Sequence, residues 1–283
     1  MDAQQWIGEC ETFTSRRGHR IAYRRRGHGP TVLLLHGFPT WSYDYAEAAC
    51  DLAADRTVVT VDFLGYGASD KPRPYTYSVA ESADIVEDLG RHLQLRSVCL
   101  VAHDYGGIVA QELVDRIATG RLGFDVRSII ALNFGMVYSA YRPTRLQKAL
   151  ALPIFGRLIA TRVTAERVRS GLDAVRGAPL TDAEFDNLWA GMSRADGHQL
   201  SHLLIRYNAE RAVHHRRWEA AMSGWRGPLH LVWGLDDPVS GRHVLDEAVR
   251  LVPEAQVTAL AGVGHYPQSE APDALTAAVR RHS

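Results

Sequence analysis

Residues 101–110 read VAHDYGGIVA and join three signals in one short stretch. A run of small apolar residues comes first, a glycine-flanked turn centred on Asp104 follows, and an apolar helical pattern begins directly after the turn. Such a strand–turn–helix sequence is typical of α/β proteins in which a reactive side chain stands at the end of a buried strand. Many enzymes place a serine at the centre of this turn, so the carboxylate of Asp104 predicts a different chemistry.

Further strand and helix patterns extend on both sides of this stretch. Short β-branched runs are apolar on both faces, as buried strands of a parallel sheet are, and helical patterns such as residues 78–95 and 108–120 separate most of them. This alternation predicts an α/β protein with a mostly parallel, doubly wound sheet. The predicted strands lie within residues 20–27, 31–37, 56–63, 97–104, 126–134, 228–234 and 255–262.

Residues 136–221 break the alternation, because they carry no strand signal and are helical in pattern, rich in arginine and dotted with aromatic residues. We expect this segment to be a helical lid, or cap, inserted between the sixth and seventh strands. The remaining residues, 1–135 and 222–283, are expected to form one core domain. A chain of 283 residues suits one large domain with an insertion better than two equal domains.

The composition of the chain limits the classes of molecule that it is expected to bind. The chain carries 32 basic and 32 acidic residues, and this balance does not favour nucleic acid or an anionic membrane, both of which attract a surplus of Lys and Arg. The apolar runs are too short to span a bilayer, and three cysteines without metal-like spacing indicate a reducing compartment. We expect a cytoplasmic monomer or homodimer that acts on a small apolar molecule.

Polar residues that follow separate strands are expected to meet at one edge of the sheet. His36, Asp104 and His265 each follow a predicted strand, and Asp236 and Asp237 follow another. Ligands of open α/β sheets bind beyond the carboxyl ends of the strands. A nucleophile, an acid and a histidine in this chain order are the groups that nucleophilic catalysis needs, so the pattern predicts a catalytic site at that edge.

Several motifs together resemble the α/β-hydrolase family, in particular its branch of epoxide hydrolases and haloalkane dehalogenases. The turn AHDYGG, residues 102–107, resembles the family's G-x-nucleophile-x-G elbow, with Ala102 in place of the first glycine. The other matching segments are HGFP (36–39), DFLGYGASDKP (62–72), WGLDDP (233–238) and GVGHYPQSE (262–270). The resemblance implies the α/β-hydrolase fold and a hydrolase that needs no cofactor and no metal.

An aspartate at the nucleophile position narrows the reaction. A carboxylate with an ordinary pKa of about 3.9 is ionised at neutral pH and can attack without a base. Its attack on a carboxylic ester would give a reactive anhydride, whereas its attack on a saturated carbon bearing a leaving group gives a stable ester. Asp104 therefore predicts displacement at an epoxide or a carbon–halogen bond, through an alkyl-enzyme ester.

The resemblance implies roles for two more groups of the predicted triad. His265 would act as base for the water that hydrolyses the ester, and Asp237 would hold and stabilise its imidazole. We expect Asp237 rather than Asp236 in this role, because the family spacing G-x-x-D-P fits residues 234–238.

The resemblance also implies an oxyanion hole and a binding pocket. The backbone N–H groups of Phe38 and Tyr105 would meet the charge that develops on the ester of the nucleophile, and the loss of one such donor typically costs ~10²–10³ in rate. His36, Trp41 and Tyr141 are expected to contact the substrate.

The two reactions of this branch differ in the group that stabilises the leaving atom. An epoxide leaves an alkoxide, which takes a proton from an acid that is neutral at pH 7, and the family supplies lid tyrosines. We expect Tyr207 and Tyr138 in this role, with Tyr141 as the alternative to Tyr138. A halide needs two N–H donors, and at the two family positions this chain has Tyr105 and Phe38, with Trp41 as a conceivable substitute. Epoxide hydrolysis to a diol is therefore the leading prediction, and haloalkane dehalogenation is the alternative.

Two further classes of function stay open. An esterase or lactonase could use Asp104 only as a base, and a small-molecule receptor could keep the fold without turnover. The complete set of Asp104, His265 and Asp237 argues against the receptor, because a protein that no longer needs activity tends to lose its catalytic residues first.

Overall fold

The computed structural model describes residues 1–283 and contains one sheet of eight strands. The strands are β1 (Glu11–Thr14), β2 (Arg20–Arg26), β3 (Thr31–Leu35), β4 (Thr57–Val61), β5 (Ser97–His103), β6 (Asp125–Leu132), β7 (Leu229–Gly234) and β8 (Gln256–Leu260). Their order in the sheet is β1-β2-β4-β3-β5-β6-β7-β8. Only β1 and β2 run antiparallel to their neighbours, so the predicted mostly parallel α/β sheet is confirmed.

One strand and one helix lie outside the sequence prediction. β1 is four residues long and only Phe13 in it is buried, so it has neither the length nor the apolar content that identified the other strands. It pairs with β2 at the edge of the sheet. A short helix, α1 (Ala3–Gly8), precedes it.

Twelve further α-helices cover the sheet and fill the long connection between β6 and β7. They are α2 (Ala46–Leu52), α3 (Val79–His92), α4 (Tyr105–Ala118), α5 (Arg145–Leu150), α6 (Phe155–Ala160), α7 (Ala165–Asp173), α8 (Asp182–Ser193), α9 (Ser201–Leu204), α10 (Tyr207–Gly224), α11 (Arg242–Leu251), α12 (Pro267–Glu270) and α13 (Pro272–His282). None of these helices combines the length and the apolar composition that crossing a bilayer requires.

Side chains of each central strand alternate between two apolar clusters. In β3, Leu33 and Leu35 belong to the cluster that also holds residues of α3, α4 and α11, whereas Val32 and Leu34 belong to the cluster that holds residues of α2 and α13. This alternation follows from the two-residue period of a strand. Helices therefore cover both faces of the sheet, and the carboxyl ends of the parallel strands stay open to one edge.

The connection between β6 and β7 forms helices α5 to α10 and no strand. We call residues 136–224 the helical insert. Its last helix, α10, packs on α4, and α8 packs on α1. Since α10 continues to Gly224, the helical segment ends three residues beyond the expected boundary at residue 221. The division into a lid over 136–221 and a core of 1–135 and 222–283 stays a prediction.

Candidate active site

Asp104 stands on a sharp turn between β5 and α4. Its backbone φ of 44° lies in the left-handed region, which residues other than glycine rarely adopt. A Cβ atom on Gly106 would lie 2.4 Å from the carbonyl oxygen of Leu35, and one on Gly107 would lie 2.3 Å from the ring of Phe134. The two glycines therefore let α4 begin tightly against the ends of β3 and β6, with Asp104 as the residue that directly precedes the helix.

The Asp104 carboxyl is buried and faces two kinds of partner. Its Oδ2 accepts a hydrogen bond of 2.8 Å from the Phe38 N–H, and its Oδ1 lies 3.7 Å from Nε2 of His265. Burial raises the pKa of Asp104, whereas the charge of His265 and the N–H groups of Phe38 and Tyr105 oppose that rise. The two N–H groups thus lie where charge on this carboxyl would develop.

His265 is held from its other ring nitrogen by Asp237. The distance from His265 Nδ1 to Asp237 Oδ2 is 2.7 Å, and both side chains are buried. Burial raises the pKa of Asp237, but the charge of His265 and the hydrogen bonds from His265, Ser240 and Val239 outweigh it and hold that pKa well below its usual range. Burial lowers the pKa of His265, but the Asp237 carboxylate and then Asp104 raise it to about 9.

Two polar residues that the sequence did not single out complete the surroundings of Asp237. Ser240 Oγ donates to Asp237 Oδ2 over 2.7 Å. Asn133, after β6, donates from Nδ2 to Asp237 Oδ2 at 3.1 Å and to the Gly234 carbonyl at 2.8 Å. Asp236 is exposed instead. The position of Asn133 directly after β6 is the sequence signal that places it at this edge.

Three buried phenol groups near this edge have no hydrogen-bond partner: Tyr66, Tyr141 and Tyr207. Tyr207 packs its ring 5.0 Å from the Tyr105 ring and 6.3 Å from the Phe38 ring, measured between centroids. Burial and the charge of Asp104 raise the pKa of Tyr141 to about 12 and that of Tyr207 well above its usual range. A buried hydroxyl without a partner costs free energy, so these phenols are available to an acceptor that enters the site.

Tyr138 does not belong to this set. It is 37% exposed, its ring stacks on His215 at 4.6 Å, and its backbone N–H donates to Glu219. The expectation that Tyr138 faces the site is therefore wrong by three residues, because the chain between Tyr138 and Tyr141 turns and carries only Tyr141 inward.

Arg211 lies beneath the phenols without a carboxylate partner. Its side chain is 2% exposed. It donates to the carbonyl of Gly135 at 2.7 Å and to Oδ1 of Asn208 at 3.0 Å, and its guanidinium lies 4.1 Å from the centre of the Tyr141 ring. Its positive charge acts to lower the pKa values of Tyr141 and Asp104. This charge favours negative groups at the site, the Asp104 carboxylate among them.

His36 and Trp41 hold the surrounding loops rather than the substrate. His36 is fully buried, with Nδ1 2.9 Å from the Gly37 carbonyl and Nε2 accepting from the Phe63 N–H at 3.1 Å. Trp41 is also fully buried and donates from Nε1 to the Leu188 carbonyl at 3.0 Å. Both N–H donors are already used inside the protein and neither side chain lines the cavity described below, so the structure does not bring His36 and Trp41 to a substrate through these groups.

The side chain of Tyr105 is likewise committed to the scaffold. Its hydroxyl lies 2.7 Å from Ser82 Oγ on α3, and its ring stacks on Tyr66. Only its backbone N–H faces the Asp104 carboxyl. The residue after Asp104 therefore supplies no side-chain donor to the site.

A cavity of about 660 Å³ opens beside these groups. Phe38 and His265 line it from the core, and the helical insert lines it with apolar residues that include Leu150 and Ile159. Its size and lining suit a small, mostly apolar ligand. No group of three or more His, Cys, Asp or Glu side chains is arranged to hold a metal ion.

The chain is similar to known proteins over most of its length. A family model described as the alpha/beta hydrolase fold matches residues 30–272. The chain is 40% identical over 254 residues to LipZ of Mycobacterium tuberculosis, provisionally named a hydrolase, covering 89% of this chain and 88% of that protein. It is 38% identical over 285 residues to the human mesoderm-specific transcript homolog protein, covering 94% of this chain and 83% of that protein.

Solved structures give the same fold. The haloalkane dehalogenase DbeA-M1 loop variant of Bradyrhizobium elkanii superposes with a TM-score of 0.80 at 23% identity, covering 95% of this chain and 94% of that chain. An alpha/beta hydrolase fold protein of Burkholderia ambifaria superposes with a TM-score of 0.78 at 24% identity, covering 95% and 96%. At this level of identity the likeness extends to the fold alone.

Proposed function

This chain belongs to the α/β-hydrolase family, and on that premise we propose that it hydrolyses epoxides to diols through an ester formed on Asp104. It requires no cofactor in this proposal. The observation that carries the proposal is a buried carboxyl beside buried phenol groups that have no carboxylate or backbone carbonyl partner within the protein. A carboxylate supplies the nucleophile and a neutral phenol supplies the proton, which are the two groups that epoxide opening needs.

In the first step, an oxygen of Asp104 attacks one carbon of the epoxide. The bond between that carbon and the ring oxygen breaks, and the oxygen takes the phenolic proton of Tyr207 or Tyr141. The products are a hydroxyalkyl ester of Asp104 and a phenolate. The raised pKa values of both phenols keep the proton in place until the oxygen leaves, and the nearby charge of Arg211 favours the phenolate once it forms.

Ester formation then prepares His265 as a base. Its raised pKa depends in part on the negative charge of Asp104, and that charge disappears when the ester forms. The pKa of His265 therefore falls, and its imidazolium gives the Nε2 proton to solvent, so that a neutral imidazole is present when a base is needed. His265 takes a proton back from solvent after the Asp104 carboxylate has been regenerated. Asp237 keeps the ring oriented and stabilises the imidazolium that follows.

In the second step, a water molecule gives a proton to Nε2 of His265 and its oxygen adds to the ester carbonyl of Asp104. The N–H groups of Phe38 and Tyr105 stabilise the oxyanion. The intermediate collapses, the alkoxide leaves with the proton from His265, and the carboxylic acid of Asp104 returns its proton to the phenolate. Epoxide and water are consumed, a diol is released and every protein group is restored.

The helical insert has a defined part in this proposal. It supplies Tyr141 and Tyr207 and much of the cavity wall, so we propose that residues 136–221 act as a lid on a core of residues 1–135 and 222–283. The alternative, dehalogenation, has less support, since a halide needs N–H donors. The side chains of Phe38 and Tyr105 offer none, and the indole N–H of Trp41 is bonded to Leu188.

The His265→Gln variant provides the direct test. Without the base, the ester on Asp104 should persist after one turnover. Intact-protein mass spectrometry after exposure to a panel of epoxides should give a mass gain equal to one epoxide, and peptide mapping should assign it to Asp104. The double variant that adds Asp104→Asn should stay at its original mass.

Three other outcomes would contradict the proposal in distinct ways. A gain equal to an alkyl group, with halide released, would assign the protein to the dehalogenases. Ester or lactone turnover without an adduct would indicate that Asp104 serves only as a base. If the wild type binds apolar ligands but turns over no epoxide, haloalkane, ester or lactone, a receptor function would be favoured.

A further inference from the structure

Half of the exposed large apolar side chains of the molecule lie in one short segment. Ten such side chains are exposed in the whole chain, and the five within residues 146–158 are exposed by 42% to 74%: Leu146, Leu152, Ile154, Phe155 and Leu158. They belong to α5, α6 and the loop between these two packed helices. Isolated exposed apolar residues are ordinary, but a cluster of large ones marks an interaction surface.

Basic residues surround this cluster without acidic partners. No Asp or Glu occurs between Asp125 and Glu166, and the exposed basic residues of the segment are Arg142, Arg145, Lys148, Arg157 and Arg162. None of these five forms an ion pair, whereas Arg116 of the core pairs with three carboxylates and Arg280 with two. The net charge of the chain is zero, so the positive charge of this segment is a local feature.

The basic surface continues beyond the segment. Arg157 lines a groove together with Arg17, Arg73 and Arg206. Arg206 also lacks an acidic partner, and only Arg17 and Arg73 approach carboxylates, at 3.7 Å and 3.8 Å. One face of the insert therefore combines exposed apolar side chains with a broad area of positive charge.

The other side of α5 and α6 faces the cavity. Leu150 and Ile159 line it, and Arg145 and Leu146 also reach it, so these two lie at its rim. Gly156 and Ala160 are buried. A thin helical wall thus separates the apolar cavity from the exposed side chains of Leu152, Ile154, Phe155 and Leu158.

We propose that residues 142–162, the docking segment, bind the surface of an anionic lipid bilayer. Ile154, Phe155 and Leu158 enter the boundary between headgroups and acyl chains, and the guanidinium and ammonium groups contact lipid phosphates. Amphipathic helices with basic and apolar faces bind bilayers in this way, and each basic residue near an anionic surface adds to the affinity. The proposal does not depend on which reaction Asp104 carries out.

The positive charge of the docking segment favours a lipid bilayer over a second copy of this chain as its binding partner. A two-fold symmetric contact would bring two sets of five unpaired positive charges together. Like charges repel, so self-association through this face is disfavoured. An anionic bilayer supplies both the opposite charge and an apolar interior.

Vesicle flotation of the full-length protein tests the proposal. The protein should float with vesicles of equal parts phosphatidylcholine and phosphatidylglycerol, remain in solution with phosphatidylcholine alone, and lose binding as salt is raised. Ile154→Asp should weaken binding about tenfold or more, because one apolar anchor is lost. Arg157→Glu should weaken it roughly fivefold for each unit of charge removed.

Matched controls separate this surface from a general effect of charge. Val213 on α10 has the same exposure as Ile154, 74%, so Val213→Asp should leave binding unchanged. Arg281 is exposed and unpaired, so Arg281→Glu serves the same purpose for Arg157→Glu. Absence of wild-type flotation would overturn the proposal, as would equal losses in variants and controls. A dimer in sedimentation that Ile154→Asp dissociates would assign the face to a second copy.

Discussion

The two halves of the candidate active site differ in how completely their polar groups are paired. At the sheet edge, Asp237 accepts hydrogen bonds from His265, Ser240, Val239 and Asn133. In the helical insert, the phenols of Tyr141 and Tyr207 are buried with no partner. The contrast indicates that the edge is organised before substrate arrives, whereas the insert keeps donors that only a bound molecule can satisfy.

The origin of the difference lies in the chain that carries each group. Asp104 directly follows β5, and Asp237 lies in the turn shortly after β7; both strands are paired on two sides, and these hydrogen bonds fix their backbones. Tyr141 lies in an irregular connection and Tyr207 at the start of α10. A parallel sheet therefore positions the triad, whereas loop and helix contacts of the insert position the phenols.

The largest expected loss of activity comes from a change at the sheet edge, where the polar groups are fully paired. Asp237→Asn removes the charge that stabilises the His265 imidazolium and substitutes an amide for an acceptor of four donors. We expect the rate of ester hydrolysis to fall by about 10²–10⁴. Asp236→Asn makes the same chemical change at the exposed neighbour and should alter the rate by less than about twofold. Single-turnover kinetics measure the rate of ester hydrolysis in both variants. Equal losses of rate would show that the hydrogen bonds to Asp237 do not determine the rate.

The second prediction concerns the pH dependence of stability, because His265 at the sheet edge and the phenols of the insert titrate in different pH ranges. His265 has a pKa of about 9 in the folded protein, above its ordinary value of 6.5. A group whose pKa is raised by folding stabilises the protein fully below 6.5 and loses this contribution as pH rises to about 9. The phenols, with the pKa of Tyr141 at about 12, stay neutral throughout that window.

Urea unfolding at a series of pH values measures this contribution. Across the window, the wild type should lose up to about 3 kcal/mol more of its free energy of unfolding than His265→Gln does. The low pKa of Asp237 acts at more acidic pH, where its contribution is lost as pH falls, so it does not obscure the comparison. Parallel curves for the two proteins would mean that the Asp237–His265 pair does not stabilise the fold.

The same contrast separates what the sequence could and could not predict. Short β-branched runs that are apolar on both faces predicted the sheet, and polar residues after those runs predicted which side chains meet at its edge, because the carboxyl ends of parallel strands must lie together. Position after a strand did not distinguish a ligand contact from a scaffold contact. His36 also follows a strand, yet both its ring nitrogens are bonded within the loops.

In the insert, helical periodicity located helices but not the loop that orients the tyrosines. The backbone N–H of Arg142 donates to the Val239 carbonyl, and Arg211 lies over the Tyr141 ring at 4.1 Å. These contacts join distant parts of the chain and decide that Tyr141, not Tyr138, faces inward. No local pattern encodes them, so a sequence argument could name a tyrosine only to within a helical turn.

The smallest expected effect comes from removing one buried phenol of the helical insert. Such a change should lower activity without lowering stability. Tyr207→Phe removes a proton donor but also removes a buried hydroxyl that bonds to nothing. Ester formation should slow about tenfold, because Tyr141 remains to donate. The free energy of unfolding should stay equal or rise by about 1 kcal/mol. Tyr141→Phe should behave in the same way.

Tyr138→Phe is the matched control, since it removes a phenol that is exposed and stacked on His215. It should change neither ester formation nor stability. If Tyr141 and Tyr207 substitute for each other as donors, the double Phe variant should lose more than the product of the two single losses. A Tyr207→Phe variant that is less stable and equally active would mean that its hydroxyl has a partner inside the protein, and the two halves of the site would then be alike.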